Sequence, residues 1–360
     1  MFFQKFTCSS RFMQIAMLLV CLLLLYFGQR WWIQTSQRCV GLSAAPFIVL
    51  PNKNPRNIPE LPNLSLLKWP KPYVASYPAG SQGPNGRTRP LPGPLEPVMS
   101  MGQRALFKKL LRLFSDMMFA NGMGDGFFLA GGTLVGTFMF HDLVPWDDDM
   151  DVFVDIRLRS KVQSLLKRLP KPYKWYAQKQ RDKLFTTLLP KGKNHLDLEL
   201  SRHSSPYPWG WPFLDICYFQ TNRTHFWEVN LKELWNPVFI PRSVIFPTYF
   251  RPLGEEWYPA PRDTDRYLRL WYRRKAGCFN NGYSHVLEGR FKSKELPCQM
   301  LLHRYAQVKR KLIRRETQVY NTNMQLNFTV TEESLIMYSD FGTVSFHELC
   351  LPVINERTTK

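Results

Sequence analysis

Four aspartates crowd into five residues, Asp147-Asp148-Asp149-Met150-Asp151, and the strong β-formers Val152-Phe153-Val154 follow directly. In a strand, alternate side chains share a face. Asp149 and Asp151 therefore point one way, with Asp147 joining them at the strand mouth, while Met150, Val152 and Val154 enter a core. Carboxylates placed side by side repel, and hard oxygen donors suit Mg²⁺ or Mn²⁺ as the counter-charge. A metal held this way can bridge to phosphate oxygens and neutralise charge in phosphoryl transfer. Upstream, Gly131-Gly132-Thr133 would let backbone approach a phosphate closely, with a helix N-terminus adding N–H donors. The plain alternative is a surface acidic turn, against which the flanking β-formers and the glycine pair both argue. An Asp-x-Asp pair alone also fits a glycosyltransferase, and Gly-Gly-Thr is what separates the two.

A third carboxylate has two candidates. Trp211-Pro212-Phe213-Leu214-Asp215-Ile216 places one Asp in an apolar strand, which is costly unless it is paired or metal-bound. His195-Leu196-Asp197-Leu198-Glu199-Leu200 reads as a strand with one wet face. Asp215 is therefore assigned to function and Asp197 to structure.

The rest of the chain gives a mixed α/β (α+β) pattern, a mixed sheet with flanking helices. Ala105–Ala120 carries Leu106, Leu110, Leu113, Phe114 and Met117 at helical spacing. Strands are expected near 126–130, 149–156, 175–178, 184–189, 196–202 and 213–219, with helices at 133 onward, 157–169 and 262–272. Between Pro46 and Pro97 lie 13 of the 28 prolines, which rules out a regular helix or a central strand. That stretch reads as an extended stem. Residues 276–360 read as a basic, partly regular extension of the 100–275 domain.

Phe12–Gln29 holds no charged residue and is bracketed by Arg11 and Arg30. At 1.5 Å per residue it covers roughly 27 Å, enough for a thin bilayer. No small-residue cleavage site follows, so a single transmembrane anchor is expected rather than a signal peptide. Residues 1–11 would be a cytosolic tail and 30–99 the stem. Sequons at Asn63, Asn222 and Asn327 favour a type II arrangement with the bulk in the Golgi or ER lumen. In that oxidising space a Cys278–Cys298 disulfide is expected. The net charge of +20 favours anionic partners. No aromatic-interleaved RNA motif or zinc-finger spacing accompanies it, so nucleic acid is not expected. Lys309-Arg310-Lys311 reads as a solvated helix face.

Gly132-Thr133-Leu134-Val135-Gly136, Pro145-Trp146-Asp147-Asp148-Asp149-Met150-Asp151 and Trp211–Ile216 occur in the order of the LicD family, which includes fukutin and fukutin-related protein. Phe246-Pro247, Arg251-Pro252-Leu253-Gly254 and Trp257–Arg262 resemble its closing segment. The resemblance covers about residues 100–272. It implies a nucleotidyltransferase-like fold and transfer of a phosphorylated alcohol, of phosphocholine or ribitol phosphate type, from a CDP-linked donor to a glycan acceptor. It implies Mg²⁺ or Mn²⁺ on Asp147, Asp149 and Asp151, and catalytic roles for Asp149, Asp151 and Asp215. Gly131, Gly132, Thr133, His141, Trp146 and Arg262 would bind substrate. The family's usual Arg-His after the Gly-Thr-Leu-Leu-Gly run is replaced here by Met139-Phe140. That departure keeps a non-enzymatic relative, binding a glycan or a partner transferase, as the first alternative, and a Golgi glycosyltransferase as the second.

Overall fold

The computed structural model describes residues 17–23, 44–203, 207–229, 238–273, 278–280, 282–313 and 328–354. The chain divides into two units, Met1–Leu42 and Ser43–Lys360. In the first, residues 17–23 are helical and exposed. Among the described residues no helix is long and apolar enough to cross a membrane, and the rest of the expected 12–29 anchor lies outside them.

The second unit is built on a mixed sheet. Helix α1 (Met101–Ala120) precedes strand β1 (Phe127–Leu129), then come helix α2 (Gly131–Met139), strand β2 (Asp151–Asp155) and helix α3 (Arg159–Lys167). Strands β3 (Tyr173–Ala177), β4 (Arg181–Thr186), β5 (Leu214–Thr221), β6 (His225–Glu228) and β7 (Ile240–Pro241) complete it. The order is β1-β2-β5-β4-β3, with β6 joining β5 to β7. Only β2 and β5 run parallel. The periodicity of the sequence explains these elements. Leu106, Phe107, Leu110, Leu111, Phe114 and Met118 give α1 one fully buried face. On the sheet, Phe128 meets the rings of Phe153, Phe219, Phe226, Phe246 and Tyr267 at centroid distances of 5.5–6.3 Å. Much of the high aromatic content is thus spent on core packing.

Helix α4 (Arg242–Ile245), the hairpin of β8 (Tyr249–Leu253) and β9 (Glu256–Ala260), and helix α5 (Thr264–Tyr272) close the domain. Residues 196–201 form no strand. Asp197 instead serves α1: it accepts from Ser100 Oγ at 2.5 Å and from the Gly102 N–H at 3.0 Å, satisfying donors that a helix start leaves open. Its structural assignment is correct, although the strand it was placed on is absent.

Two expectations fail for the flanks. The proline-rich segment is not a spacer, because its described part, from residue 44, packs onto the domain. Phe47, Val49, Leu61, Leu64 and Leu95 are buried. Phe47 stands edge-on to Trp257 at 5.7 Å, and Ile48 bridges to Tyr249. The Gln103 amide accepts from Ala79 N–H at 3.0 Å and donates to Ala79 O at 2.9 Å. Residues beyond 276 are also more regular than expected. Strands β10 (Gln307–Ile313), β11 (Phe328–Ser339) and β12 (Gly342–Ile354) form an antiparallel sheet. Lys309-Arg310-Lys311 lies in β10 rather than on a helix, so its residues alternate sides and Arg310 turns inward to Glu333. The Cys278–Cys298 disulfide forms, with a Cα separation of 4.9 Å. Asn63 and Asn222 sit on exposed turns, and Asn327 lies outside the described residues.

Candidate active site

Helix α2 starts immediately after β1, and the two glycines at its start are dictated by carboxylates. Gly131 has φ +51°, and a Cβ there would lie 2.2 Å from Asp151 Oδ2. A Cβ on Gly132 would lie 1.8 Å from Asp147 Oδ2. Only glycine leaves that space to the aspartates. The positive end of the helix dipole favours the negative charge it faces. Thr133 has a different task from the substrate contact expected of it. It is buried, and its hydroxyl accepts the Asp151 N–H at 2.8 Å, locking β2 to the helix start.

Asp147, Asp148, Asp149 and Asp151 line one side of a pocket of about 190 Å³, together with Gly131 and Gly132. The remainder is largely apolar. Val135, Met139, Phe140 and Trp146 come from α2 and the turn after it, Phe279 and Tyr283 from the disulfide-closed loop, and Leu95 from the proline-rich segment. Trp146 also lines the pocket, edge-on to Phe140 at 5.7 Å and donating its indole N–H to Phe279 O at 3.0 Å. Met139 and Phe140 face this pocket, and among the described residues no Lys or Arg lines it.

The acidic side is short of positive charge. Burial, then Asp149 and the other two aspartates, push the Asp147 carboxyl well above the usual carboxylate range. Burial, then Asp149 and Asp215, do the same to Asp151. Asp149 goes the other way. Burial would raise it, but His285, with Nε2 3.1 Å from Asp149 Oδ2, overrides burial and holds it below the usual range. Burial opposes the charge on His285, yet Asp149 and then Asp148 push its pKa up to about 10. His285 is thus the cation already supplied to this cluster. The side-chain ligand atoms of Asp148, Asp149 and His285 lie within 4.8 Å of one another, a different set from the expected Asp147, Asp149 and Asp151. Asp148 is nevertheless committed. Its Oδ2 accepts from Ser284 Oγ at 2.8 Å, His285 N–H at 2.9 Å and Val286 N–H at 3.3 Å, anchoring the loop that carries His285.

Asp215 lies where its strand predicts, paired in register with Asp151 across β2 and β5. It does not reach the pocket, however. Fully buried, it receives Lys183 Nζ at 2.7 Å and Arg181 Nη1 at 3.3 Å. As the side chains stand, Asp215 is held between these two cations behind Asp151 rather than open to the pocket. His141 and Arg262 are misassigned. His141 is fully buried, with Nε2 2.8 Å from Glu333 and Nδ1 3.0 Å from His347. Arg262 lines a separate cavity against the C-terminal sheet.

Residues 124–263 match the family described as LicD/FKTN/FKRP, nucleotidyltransferase domain. The chain carries a LicD-family domain. No curated protein is similar enough to this chain to count as a match. The LicD domain is of phosphotransferase type, and its matched residues include Gly131, Gly132, all four clustered aspartates and Asp215. They do not include Leu95, Phe279, Tyr283 or His285. Sequence reasoning missed His285 because its loop has neither helical nor strand periodicity. The one signal was indirect: the expected disulfide brackets a short loop that contains a single histidine.

Proposed function

We propose that this protein is a metal-dependent transferase that moves a phosphorylated alcohol from a CDP-linked donor to a glycan. The observation that carries this is the convergence of Asp147, Asp149 and Asp151 on the glycine-bounded start of α2, inside a pocket. The donor set fits Mg²⁺ or Mn²⁺: all are hard oxygens, crowded and half-buried, and Asp147 and Asp151 are pushed toward protonation for want of counter-charge. Asp149 and Asp151 would hold the ion, with Asp147 beside them. Such an ion would supply charge neutralisation to the donor diphosphate. The chain's own part is to orient. Asp148 fixes the loop bearing His285, His285 positions Asp149, and Lys183 and Arg181 neutralise Asp215 so that one further carboxylate is tolerated behind Asp151. Val135, Met139, Phe140 and Trp146 exclude water from the acidic side. The mixed sheet supports a nucleotidyltransferase-like assignment, and the disulfide and exposed sequons support a Golgi or ER lumenal setting.

One observation favours the non-enzymatic alternative. A diphosphate entering this pocket would meet Met139 and Phe140 where an Arg-His pair is usual, and a lost desolvated guanidinium–phosphate contact is worth about 2 kcal/mol or more. Both readings are tested on the full-length protein by thermal stability with Mg²⁺ or Mn²⁺ and CDP-choline, CDP-ribitol, CDP-glycerol, UDP-sugars and GDP-sugars. Metal-dependent stabilisation by a CDP-alcohol, abolished in Asp149→Ala, is expected. A response to UDP- or GDP-sugars alone would make it a glycosyltransferase. A folded protein indifferent to every donor would leave the non-enzymatic relative.

A further inference from the structure

A second cavity, of about 410 Å³, lies between the LicD domain and the C-terminal sheet, a volume in the range of small-molecule sites. Its wall is made by Phe138 at the end of α2, Arg251 in β8, the start of α5, and residues of β10, β11 and β12. It shares no lining residue with the acidic pocket.

Around Glu333 the charges do not cancel. Among the described residues three carboxylates line this cavity, and each already has an assignment. Asp265 pairs with Arg269 one turn along α5. Asp263 caps the same helix, accepting the Arg266 N–H at 3.0 Å. Glu333 alone serves two guanidiniums, Arg251 Nη2 at 2.7 Å and Arg310 Nε at 3.1 Å. His141, on the other side of Glu333, adds no negative charge. Among the described residues, Glu333 thus answers one of these two guanidinium charges and leaves the other in surplus. The Arg251 side chain is 9% exposed. Its Nε has no hydrogen-bond partner among the described residues, a costly state for a buried donor. Phe138 holds both guanidiniums in place, with Arg251 5.4 Å and Arg310 3.4 Å from its ring centroid. The N-terminal turn of α5, from Thr264, adds the positive end of a helix dipole.

We propose that this cavity is an anion site for a phosphate or sulfate group, free or carried on a sugar. Planar guanidiniums match such oxyanions in geometry as well as charge. The site does not depend on the function proposed for the acidic pocket.

The test uses the full-length protein in EDTA, so that phosphate cannot reach the acidic pocket through a metal. Thermal midpoints are measured with inorganic phosphate, sulfate, glucose 6-phosphate and glucose, against sodium chloride at matched ionic strength. Phosphate and sulfate should stabilise beyond chloride, and the response should persist in Asp149→Ala. It should weaken at least tenfold in apparent affinity in Arg310→Gln. Because Arg310 is substantially buried, Leu312→Glu serves as the second variant. Leu312 is 52% exposed and lines the cavity, so a carboxylate there should repel the anion while leaving the fold intact. Stabilisation by glucose 6-phosphate at lower concentration than phosphate, with glucose inert, would identify a sugar-borne group. Equal potency would identify the free ion. The proposal is overturned by a phosphate response no larger than that of chloride, by one unchanged in Leu312→Glu, or by one lost in Asp149→Ala.

Discussion

The two ends of helix α2 are opposites. Its N-terminus abuts Asp147 and Asp151, which have too little positive charge near them. Its C-terminus is covered by Arg251 and Arg310, which reach the carbonyls of Thr137 and Phe138 and share one glutamate. Both ends obey the helix dipole, which favours anions at the start and cations at the finish. Both also overshoot it. On the two readings proposed above, the first end would take a cation from outside and the second an anion. A short helix of nine residues thus separates two charge imbalances of opposite sign. Neither could be recognised from overall net charge.

The largest effect should come from breaking the C-terminal end. Glu333→Gln leaves two buried guanidiniums without their carboxylate, and losing one partner of a buried pair costs about 3–5 kcal/mol. Denaturant titration should show that loss, and phosphate should restore more stability in this variant than in the parent. A loss under 1 kcal/mol would mean that the arginines are less enclosed than Glu333 is.

Acid should act on the same end. Burial pushes His141 down to about 4 from 6.5. Between those values the unfolded chain binds a proton that the folded protein refuses, so stability falls as pH drops from about 6.5 toward 4, by up to about 3 kcal/mol. Burial likewise depresses His347. Arg251 and then Arg310 override burial to hold Glu333 well below 4.5. Its contribution is present above 4.5 and lost in stronger acid, the same direction. In His141→Asn, which keeps a residue tolerant of the φ of +52° found there, the slope between pH 4 and 6.5 should flatten. An unchanged slope would move the proton elsewhere.

At the N-terminal end, Gly132→Ala forces a methyl group into the space of the Asp147 carboxylate. The cost should be about 1–3 kcal/mol, with loss of any Mg²⁺ or Mn²⁺ stabilisation while the phosphate response stays. Retention of the metal response would show that Asp147 is not a ligand. The smallest effect, about 1 kcal/mol, is expected for Asp197→Ala, which removes acceptors at the start of α1. Neither the metal nor the phosphate response should change. A change in either would mean that α1 is coupled to the ends of α2.

How much could be read in advance depended on whether a feature is local. Strand β2 and the aspartates leading into it, the buried face of α1, and the apolar strand that carries Asp215 all follow from periodicity. The proline-rich segment deceived because its apolar residues follow no period. Phe47, Leu61, Leu64 and Leu95 look scattered until the surfaces that cover them exist. Its backbone is satisfied piecemeal by distant side chains, such as Gln103 for Ala79 and the Trp257 indole for Pro62 O. His141 looked like a site residue because it follows the glycine-rich run closely. The left-handed turn at its own position sends it instead toward Glu333, 192 residues on.

By itself, the sequence determined a LicD-type acidic strand, the glycine pair before it and the disulfide that closes a later loop, because each rests on residue spacing and intrinsic backbone preference. Only the tertiary structure decided which charges meet. It placed His285 on Asp149, sealed Asp215 between Lys183 and Arg181, and gave Glu333 two arginines. The interaction of two charges depends on their separation and burial, and spacing along the chain fixes neither.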